Sequence, residues 1–207
     1  LCLSRELIGM RLAGAYCDYI VIPERNLVPI PDSLDMVKAS LTEPAACAVH
    51  TLNMARMLSP RPLAELNTLV IGGGAIGMLT ALLLGSYGCR RVTVAETNRL
   101  RRESLAGHVQ CEIYDPLSGA DLEPDSFDLV VDAVGGGVTR SMASRVVTPG
   151  GIFMHIGLMD SNEGLDIRKI TLQEISFAGI YTYTREDFRA AVAAIADGLF
   201  GGLEWIK

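Results

Sequence analysis

A glycine-rich hexapeptide constrains the fold of this chain more than any other feature of its 207 residues. The hexapeptide Gly72-Gly73-Gly74-Ala75-Ile76-Gly77 follows a short apolar run, Thr68-Leu69-Val70-Ile71, that is typical of a strand buried on both faces. A helix is predicted directly after it, from Ala75 to Tyr87. Strand, G-x-G-x-x-G and helix, in that order, form the arrangement that carries a phosphate-binding loop in dinucleotide-binding units.

Each glycine of the motif has a separate physical task. Gly72 permits the tight turn, Gly74 keeps the backbone bare where a pyrophosphate would approach, and Gly77 lets the helix pack closely on the strand. The pyrophosphate would then meet unpaired N–H groups at the helix N-terminus, where the helix dipole favours negative charge. We therefore expect this turn to bind a dinucleotide.

An acidic residue at the end of the next predicted strand, Arg91 to Glu96, indicates which dinucleotide. Glu96 lies about 20 residues beyond the glycine loop, the separation at which a carboxylate accepts hydrogen bonds from the adenosine ribose. The same carboxylate repels a 2′-phosphate, so NAD is favoured over NADP. Three nearby arginines favour the opposite choice, because arginine can hold a 2′-phosphate: Arg99, Arg101 and Arg102.

Two alternatives for the glycine loop stay open at this point. Methyltransferases that bind S-adenosylmethionine also use a glycine-rich first loop and an acid after the second strand. Their loop usually follows an acidic residue, which the stretch Asn67-Thr68-Leu69-Val70-Ile71 does not offer. The other alternative is a structural glycine turn that binds no ligand.

Strands and helices alternate from Thr68 onwards, which is typical of a parallel sheet with helices on both faces. The predicted class is α/β, with a doubly wound, six-stranded parallel sheet of the Rossmann type. Strands are expected at 68–71, 91–96, 111–114, 127–132, 152–157 and 175–181. Helices are expected at 43–57, 75–87, 99–108, 138–147 and 185–198.

The first 31 residues lack the strand–helix alternation seen later and contain strand-like runs at 15–22 and 27–31. Prolines at positions 23, 29 and 31 favour edge strands, so part of a small β-rich unit is expected here.

Composition narrows the class of partner. The net charge of −6 gives no basic footprint for nucleic acid, and no apolar run approaches the roughly 18 residues of a membrane span. Five cysteines, widely spaced and odd in number, do not form a disulfide framework. Free thiols in a reducing cytoplasm are expected.

The order of several motifs resembles the zinc-dependent medium-chain dehydrogenases, and within them the sorbitol (polyol) and threonine dehydrogenase branch. The motifs are Glu43-Pro44, the glycine loop 72–77, Glu96, the run 127–135 and Pro149-Gly150-Gly151. The run 14–23 is similar to the strand that closes the β-rich, GroES-like catalytic domain of that family. The resemblance extends over essentially the whole chain.

The resemblance implies a cofactor site along the carboxyl ends of the strands. Glu96 would hold the adenosine ribose, and Arg101 would pack on the adenine side. The remaining residues, in order from the pyrophosphate to the nicotinamide, would be Gly72, Gly74, Ala75, Ile76, Val134, Gly135, Ile156, Gly157 and Tyr181.

The resemblance also implies zinc in the intact protein. Glu43 matches a glutamate at the catalytic zinc, and Cys2 matches the last of four cysteines around a structural zinc; the first turn of a helix also suits Glu43 as a simple dipole partner. His50 is expected to be a satisfied helix histidine. The other zinc ligands would lie before Leu1, so the chain is expected to begin inside the catalytic domain (1–38), to contain the NAD-binding domain (39–200) and to start its return at 201–207. Neither zinc site could then close within it, and no catalytic residue is assigned.

The function expected from these residues is hydride transfer between NAD and a secondary alcohol or polyol, with the chain itself binding NAD without turnover. Two alternatives remain: a non-catalytic NAD(H)-binding or sensing module, and a zinc-free reductase of the same superfamily. A homo-oligomer formed through the exposed edge of the sixth strand is also expected.

Overall fold

The computed structural model describes residues 6–160 and 162–206 of the chain. Its centre is a six-stranded sheet in which all neighbouring strands are parallel and the order is β3-β2-β1-β4-β5-β6. This is the doubly wound order of two mononucleotide-binding halves, and it confirms the predicted fold class. The strands are β1 (Thr68–Ile71), β2 (Val92–Ala95), β3 (Glu112–Tyr114), β4 (Phe127–Asp132), β5 (Val147–His155) and β6 (Ser176–Gly179).

Helices connect the strands, and those predicted from the sequence are found. They are α1 (Met36–Ala39), α2 (Thr42–Leu58), α3 (Ala75–Ser86), α4 (Arg99–His108), α5 (Gly137–Val146), α6 (Ile167–Leu172) and α7 (Arg185–Ala196). Helix α6 was not predicted, because six residues are too few to display a helical repeat of apolar positions. Its N-terminus is capped by Asp166, which accepts a hydrogen bond from the Lys169 N–H.

Apolar side chains cover both faces of the sheet, as a parallel sheet requires. Successive residues of β1 enter different cores: Val70 packs with α2, α3 and α7, whereas Leu69 packs with α5 and α6. Phe153 and Met154 of β5 divide in the same way. The two cores hold the strands rigidly, and the strand ends are thereby fixed relative to one another.

The strands predicted at 15–22 and 27–31 do not form. Residues 6–34 contain one isolated bridge, between Ile8 and Leu12, and a short 3-10 helix at Glu24–Asn26. Tyr16, Tyr19 and Val21 are almost fully exposed. A strand needs a hydrogen-bonded neighbour, and the described residues place none beside this run, so the sequence propensity alone does not produce a sheet here.

The core extends slightly past the predicted limits of the NAD-binding domain. Leu34 and Leu203 are buried in the same core as α2 and α7. The division at 38/39 and 200/201 stays a prediction. Among the described residues, none of the helices combines the length and apolar character needed to cross a lipid bilayer.

Candidate dinucleotide site

The glycine loop between β1 and α3 has the geometry expected of a bare backbone turn. Gly72 has φ +97°, in the left-handed region that glycine tolerates, and a Cβ there would lie 2.6 Å from Cγ2 of Val134. A Cβ on Gly77 would lie 1.8 Å from the carbonyl oxygen of Gly72. The closest contact of a side chain at Gly77 would therefore be with the turn. The strand contact that the sequence predicted is also present, because Cγ1 of Val70 in β1 lies 3.5 Å from the same Cβ position. No other residue fits either position without moving the turn.

The first turn of α3 is open toward the same edge of the sheet. Gly74 is its N-cap, no side chain caps this helix, and a Cβ on Gly74 would meet nothing within 4 Å. The first N–H groups of a helix, here those of Ala75 and Ile76, have no partner within the helix. An anion placed beyond Gly74 would meet these donors and the positive end of the helix dipole.

Glu96 is buried and faces the loop. Its Oε2 accepts a hydrogen bond from the Gly73 N–H (N···O 2.7 Å), and its Oε1 accepts one from the Asn98 N–H (2.7 Å). Sequence reasoning predicted the position of this carboxylate but missed its bond to the loop. The Thr97 hydroxyl also donates to Oε1 (3.5 Å). One carboxylate thus connects the ends of β1 and β2, and Oε2 keeps a lone pair for a further donor.

The three arginines near Glu96 have different partners. Arg102 donates to the carbonyl oxygens of Glu96 and Thr97 and pairs with Asp115 at 2.8 Å, while Arg99 pairs with Glu103. Arg101 is exposed and lies 3.6 Å from Oε2 of Glu96. Arg101 is therefore the arginine of the three that adjoins the carboxylate where a ribose would bind.

The turn after β4 is built on a fully buried carboxylate. Oδ1 of Asp132 accepts hydrogen bonds from the N–H groups of Val134 and Gly135, each at 2.9 Å, and its Oδ2 accepts one from the Thr139 hydroxyl at 2.9 Å. This pattern is an Asx turn that fixes the backbone of the turn. Since Val134 lies against Gly72, the turn adjoins the glycine loop.

The segment after β5 packs directly on that turn. A Cβ on Gly157 would lie 2.1 Å from the carbonyl carbon of Val134 and 2.3 Å from the nitrogen of Gly135. Ile156 donates its N–H to the Asp132 carbonyl at 3.0 Å. The segments that carry the predicted cofactor residues 72, 74–76, 96, 101, 134–135 and 156–157 therefore adjoin one another along one edge of the sheet.

The turn after β6 completes this edge. The Ile180 N–H donates to the His155 carbonyl at 2.8 Å, which holds Tyr181 next to the end of β5. Thr182 follows with φ +58°, and a β-branched residue in the left-handed region stores about 1–3 kcal/mol of strain. Such strain is concentrated at functional sites more often than elsewhere.

Sequence reasoning missed Arg140, which α5 carries and which is 5% exposed. It lines a cavity of about 490 Å³ with His155, Asp160 and Phe177. The sequence offered one signal for Arg140, namely a charged residue in the first turn of the helix that follows the glycine turn after β4. Its partners are mostly backbone carbonyl groups, which no sequence pattern marks.

The predicted metal residues are not brought together. Glu43 is exposed in the first turn of α2, and Cys2 lies outside the described residues. The part of the chain that the structure describes contains no group of three histidine, cysteine or acidic residues that could hold a metal ion. These residues do not by themselves supply the three or four ligands that zinc takes. Glu43 as a zinc ligand stays a prediction.

Two neighbours of Glu43 are shielded from water. Burial, followed by the negative charge of Glu43, raises the pKa of the Cys47 thiol to about 12. Burial, the charge of Glu43 and a hydrogen bond to that carboxylate also raise the pKa of Tyr183 above its ordinary value. The Cys47 thiol therefore stays protonated at neutral pH and is a poor nucleophile.

His50 is a satisfied helix histidine, as expected. Its Nδ1 lies 2.8 Å from Oδ2 of the buried Asp187, which also accepts hydrogen bonds from Asn53 and Thr184. The cluster joins α2 to the N-terminus of α7. It holds the 181–184 turn in place rather than binding a metal.

Comparison with known proteins agrees with this geometry. The family model described as "Zinc-binding dehydrogenase" matches residues 75–197. The (R,R)-butanediol dehydrogenase of Saccharomyces cerevisiae is 26% identical over 96% of this chain and 53% of its own length. The L-threonine 3-dehydrogenase of Chromobacterium violaceum is 28% identical over 96% of this chain and 59% of its own length.

A solved structure gives the same result. A protein of Sinorhizobium meliloti 1021, described as a zinc-binding dehydrogenase and bound to NADP, superimposes with a TM-score of 0.85. It is 25% identical over 96% of this chain and 60% of that chain. This chain spans about half the length of the curated relatives it matches. Because the family model covers more than half of the chain, this protein belongs to the zinc-binding dehydrogenase family.

Proposed function

We propose that this chain binds NAD(H) as the cofactor-binding part of a dehydrogenase that acts on a secondary alcohol or polyol. The hydrogen bond between Glu96 and the Gly73 N–H carries the proposal. It holds a carboxylate beside a loop whose neighbouring amides are open to a pyrophosphate. A glycine turn with no ligand to bind would not need a buried acid at this position.

Each predicted residue has a task in that complex. The amides of Ala75 and Ile76 would donate to the pyrophosphate, with Gly72 and Gly74 leaving room for it. Glu96 would accept hydrogen bonds from the adenosine ribose, and Arg101 would cover the adenine. Val134, Gly135, Ile156, Gly157 and Tyr181 would border the nicotinamide half.

NAD is preferred over NADP in this proposal because a 2′-phosphate would approach the negative charge of Glu96. Two of the three arginines that could offset this repulsion already pair with other carboxylates. The relative from Sinorhizobium meliloti binds NADP, and Arg101 is the residue through which this chain could do the same.

The whole protein would transfer hydride between the substrate carbon and the nicotinamide. The chain's own contribution is to hold the nicotinamide ring at the edge where the ends of β4, β5 and β6 meet. The butanediol and threonine dehydrogenases among the relatives both act on secondary alcohols, which supports that substrate class.

Calorimetric titration of NAD+ and NADP+ against the chain, repeated with Glu96→Gln, tests the proposal. The glutamine keeps an oxygen for the Gly73 N–H, removes the charge and turns an NH2 group toward the Asn98 N–H, so NADP+ affinity should rise and NAD+ affinity should fall. Each change is expected to be about 10-fold, the size of a lost charge-assisted hydrogen bond. Arg99→Gln, on the same side of the loop, is the matched control and should change neither affinity.

Two outcomes would contradict the proposal. Absence of binding for both cofactors would refute the function itself. Equal affinity of the unaltered chain for NAD+ and NADP+ would refute the assigned preference while leaving dinucleotide binding in place.

The same proposal includes a homo-oligomer and a reducing compartment. β6 is an edge strand whose far side has no strand neighbour in the described sheet, so a second copy could extend the sheet there, and sedimentation velocity measures this. Cys17, Cys47, Cys89 and Cys111 are free thiols, which suits the cytoplasm. Cell fractionation tests the location.

A further inference from the structure

We propose that Arg140 is a positioning residue that fixes the nicotinamide half of the site and has no part in holding the adenine half. The proposal rests on the function proposed above, because it assigns a task within the NAD(H) site. It starts from a guanidinium that is 5% exposed and lies among backbone carbonyl groups.

Arg140 connects two segments that would border the cofactor. Its Nη1 donates to the carbonyl of Gly135 at 2.8 Å, which belongs to the turn after β4. Its Nε donates to the carbonyl of Glu163 at 2.6 Å, and its Nη2 donates to Oδ1 of Asp160 at 3.0 Å. The last two belong to the segment after β5, so the guanidinium joins both segments.

Further hydrogen bonds act across the same junction. Asp160 accepts from the Gly137 N–H at 3.1 Å, and the Met159 N–H donates to the Val134 carbonyl at 3.1 Å. Gly157 packs on the backbone of Val134 and Gly135 with no room for a side chain. The separation of the two segments is thus set by main-chain contact and fixed by one side chain.

Charge makes this side chain hard to replace. A buried guanidinium is stabilised by the partly exposed carboxylate of Asp160, and the planar fork directs its donors at three acceptors at once. A lysine would keep the charge but reach only some of those acceptors. His155 adjoins the same group, with Nε2 at 3.4 Å from Nη1.

The hydrogen bonds named above for Arg140 end in the segments after β4 and β5, and the side chain of Val134 packs against Gly72 of the adenine half. The carboxylate of Glu96 is held by the N–H groups of Gly73 and Asn98, and these two bonds do not involve Arg140. Loss of Arg140 should therefore alter the placement of the Gly135 carbonyl and of Gly157 while leaving the loop at Gly72–Gly77 unchanged. The affinity of a ligand that lacks nicotinamide should therefore stay the same.

The test compares NADH with ADP-ribose on Arg140→Lys. We expect NADH affinity to fall about 10-fold, as for one lost charge-assisted hydrogen bond, with a changed fluorescence of the bound nicotinamide. ADP-ribose affinity should stay within about twofold. Asp160→Asn changes a half-exposed residue and should tolerate substitution. It should change the ratio of NADH affinity to ADP-ribose affinity by a smaller factor, and it provides the test if the Arg140 variant does not fold.

Arg145→Gln is the matched control, because Arg145 lies on the same helix but donates to Leu122 and Asp121 away from the edge. It should leave the ratio of the two affinities unchanged. Equal weakening of both ligands in Arg140→Lys and Asp160→Asn, or no change in either, would overturn the assignment. An unaltered chain that binds neither ligand would instead overturn the proposed function.

Discussion

The two halves of the candidate site are built from different kinds of contact. At the ends of β1 and β2, a carboxylate accepts a main-chain N–H and glycines allow the backbone to close on itself. At the ends of β4 and β5, a buried guanidinium donates to main-chain carbonyl groups. Both halves contain glycines where backbones meet, but the first is anchored by a carboxylate that accepts from the main chain and the second by a guanidinium that donates to it.

This difference determines how each half should respond to substitution. Adding one carbon atom at Gly72 or Gly77 should damage the first half, because the backbone leaves no space there. The second half should fail when polar partners are removed. Substitutions at the two halves, or at the turn after β6, can therefore separate backbone closure from side-chain anchoring.

The largest effect is expected for Gly77→Ala, which would break the first half. Its Cβ would lie 1.8 Å from the Gly72 carbonyl oxygen, so the turn must move. We expect the free energy of unfolding to fall by about 1–3 kcal/mol, the usual cost of overpacking, and NADH and ADP-ribose to be lost together. Chemical denaturation and titration of both ligands measure this.

Gly85→Ala provides the control on the same helix. A Cβ there meets nothing within 4 Å, so the replacement should raise the free energy of unfolding by up to about 1 kcal/mol through helix propensity. If Gly77→Ala retained ADP-ribose binding, backbone closure would not be what holds the first half.

A smaller effect is expected for Asp187→Asn, which tests side-chain anchoring at the turn after β6. Burial alone would raise the pKa of Asp187, but hydrogen bonds from Thr184 and Asn53 and the nearby His50 lower it overall. The ionised form therefore stabilises the fold above the ordinary pKa of about 4, and this contribution is lost as the pH falls through the lowered value.

We expect Asp187→Asn to lower the free energy of unfolding by about 1–2 kcal/mol at pH 7, and the difference from the unaltered chain to narrow below about pH 4. Denaturation at pH 7, 4 and 3 measures it. Asp197→Asn, which changes an exposed acid at the other end of α7, is the control and should change the free energy of unfolding at pH 7 by no more than about 0.5 kcal/mol. A difference that stayed constant with pH would mean that the ionised carboxylate is not the stabilising group.

The smallest effect on stability is expected for Gly179→Lys on the edge strand β6. A Cβ there meets nothing within 4 Å, so the free energy of unfolding should change by no more than about 0.5 kcal/mol. A lysine on an edge opposes pairing with another strand, so sedimentation should shift from oligomer to monomer. Oligomers that persisted in the variant would place the interface elsewhere than this edge.

The sequence alone predicted the part of the site that depends on the separation of residues along the chain. The separation between the glycine loop and Glu96 is a property of one strand–helix–strand unit, and the structure brings the two into hydrogen-bond contact. The alternation of apolar runs also predicted the sheet, because its central strands β1, β2 and β4 bury both faces.

The rest depends on partners that a pattern does not specify. Residues 15–22 have strand-like composition, but nothing in the described residues pairs with them, so they form bends and irregular backbone instead of a strand. Arg140 was missed because carbonyl groups, which every residue carries, are its main acceptors. Arg102 was grouped with Arg101 on proximity in sequence, yet its contacts are with the backbone and Asp115.

The bond from the Gly73 amide to Glu96 has a consequence for engineering coenzyme choice. Exchanging this acid for a small neutral residue, as a designer seeking a phosphorylated coenzyme would do, also strips the turn of its internal acceptor. The orphaned amide is buried, and such a group costs about 1–3 kcal/mol. Retargeting would therefore require a second change that restores an oxygen near Gly73, so the proposed preference for NAD should resist change by single substitutions.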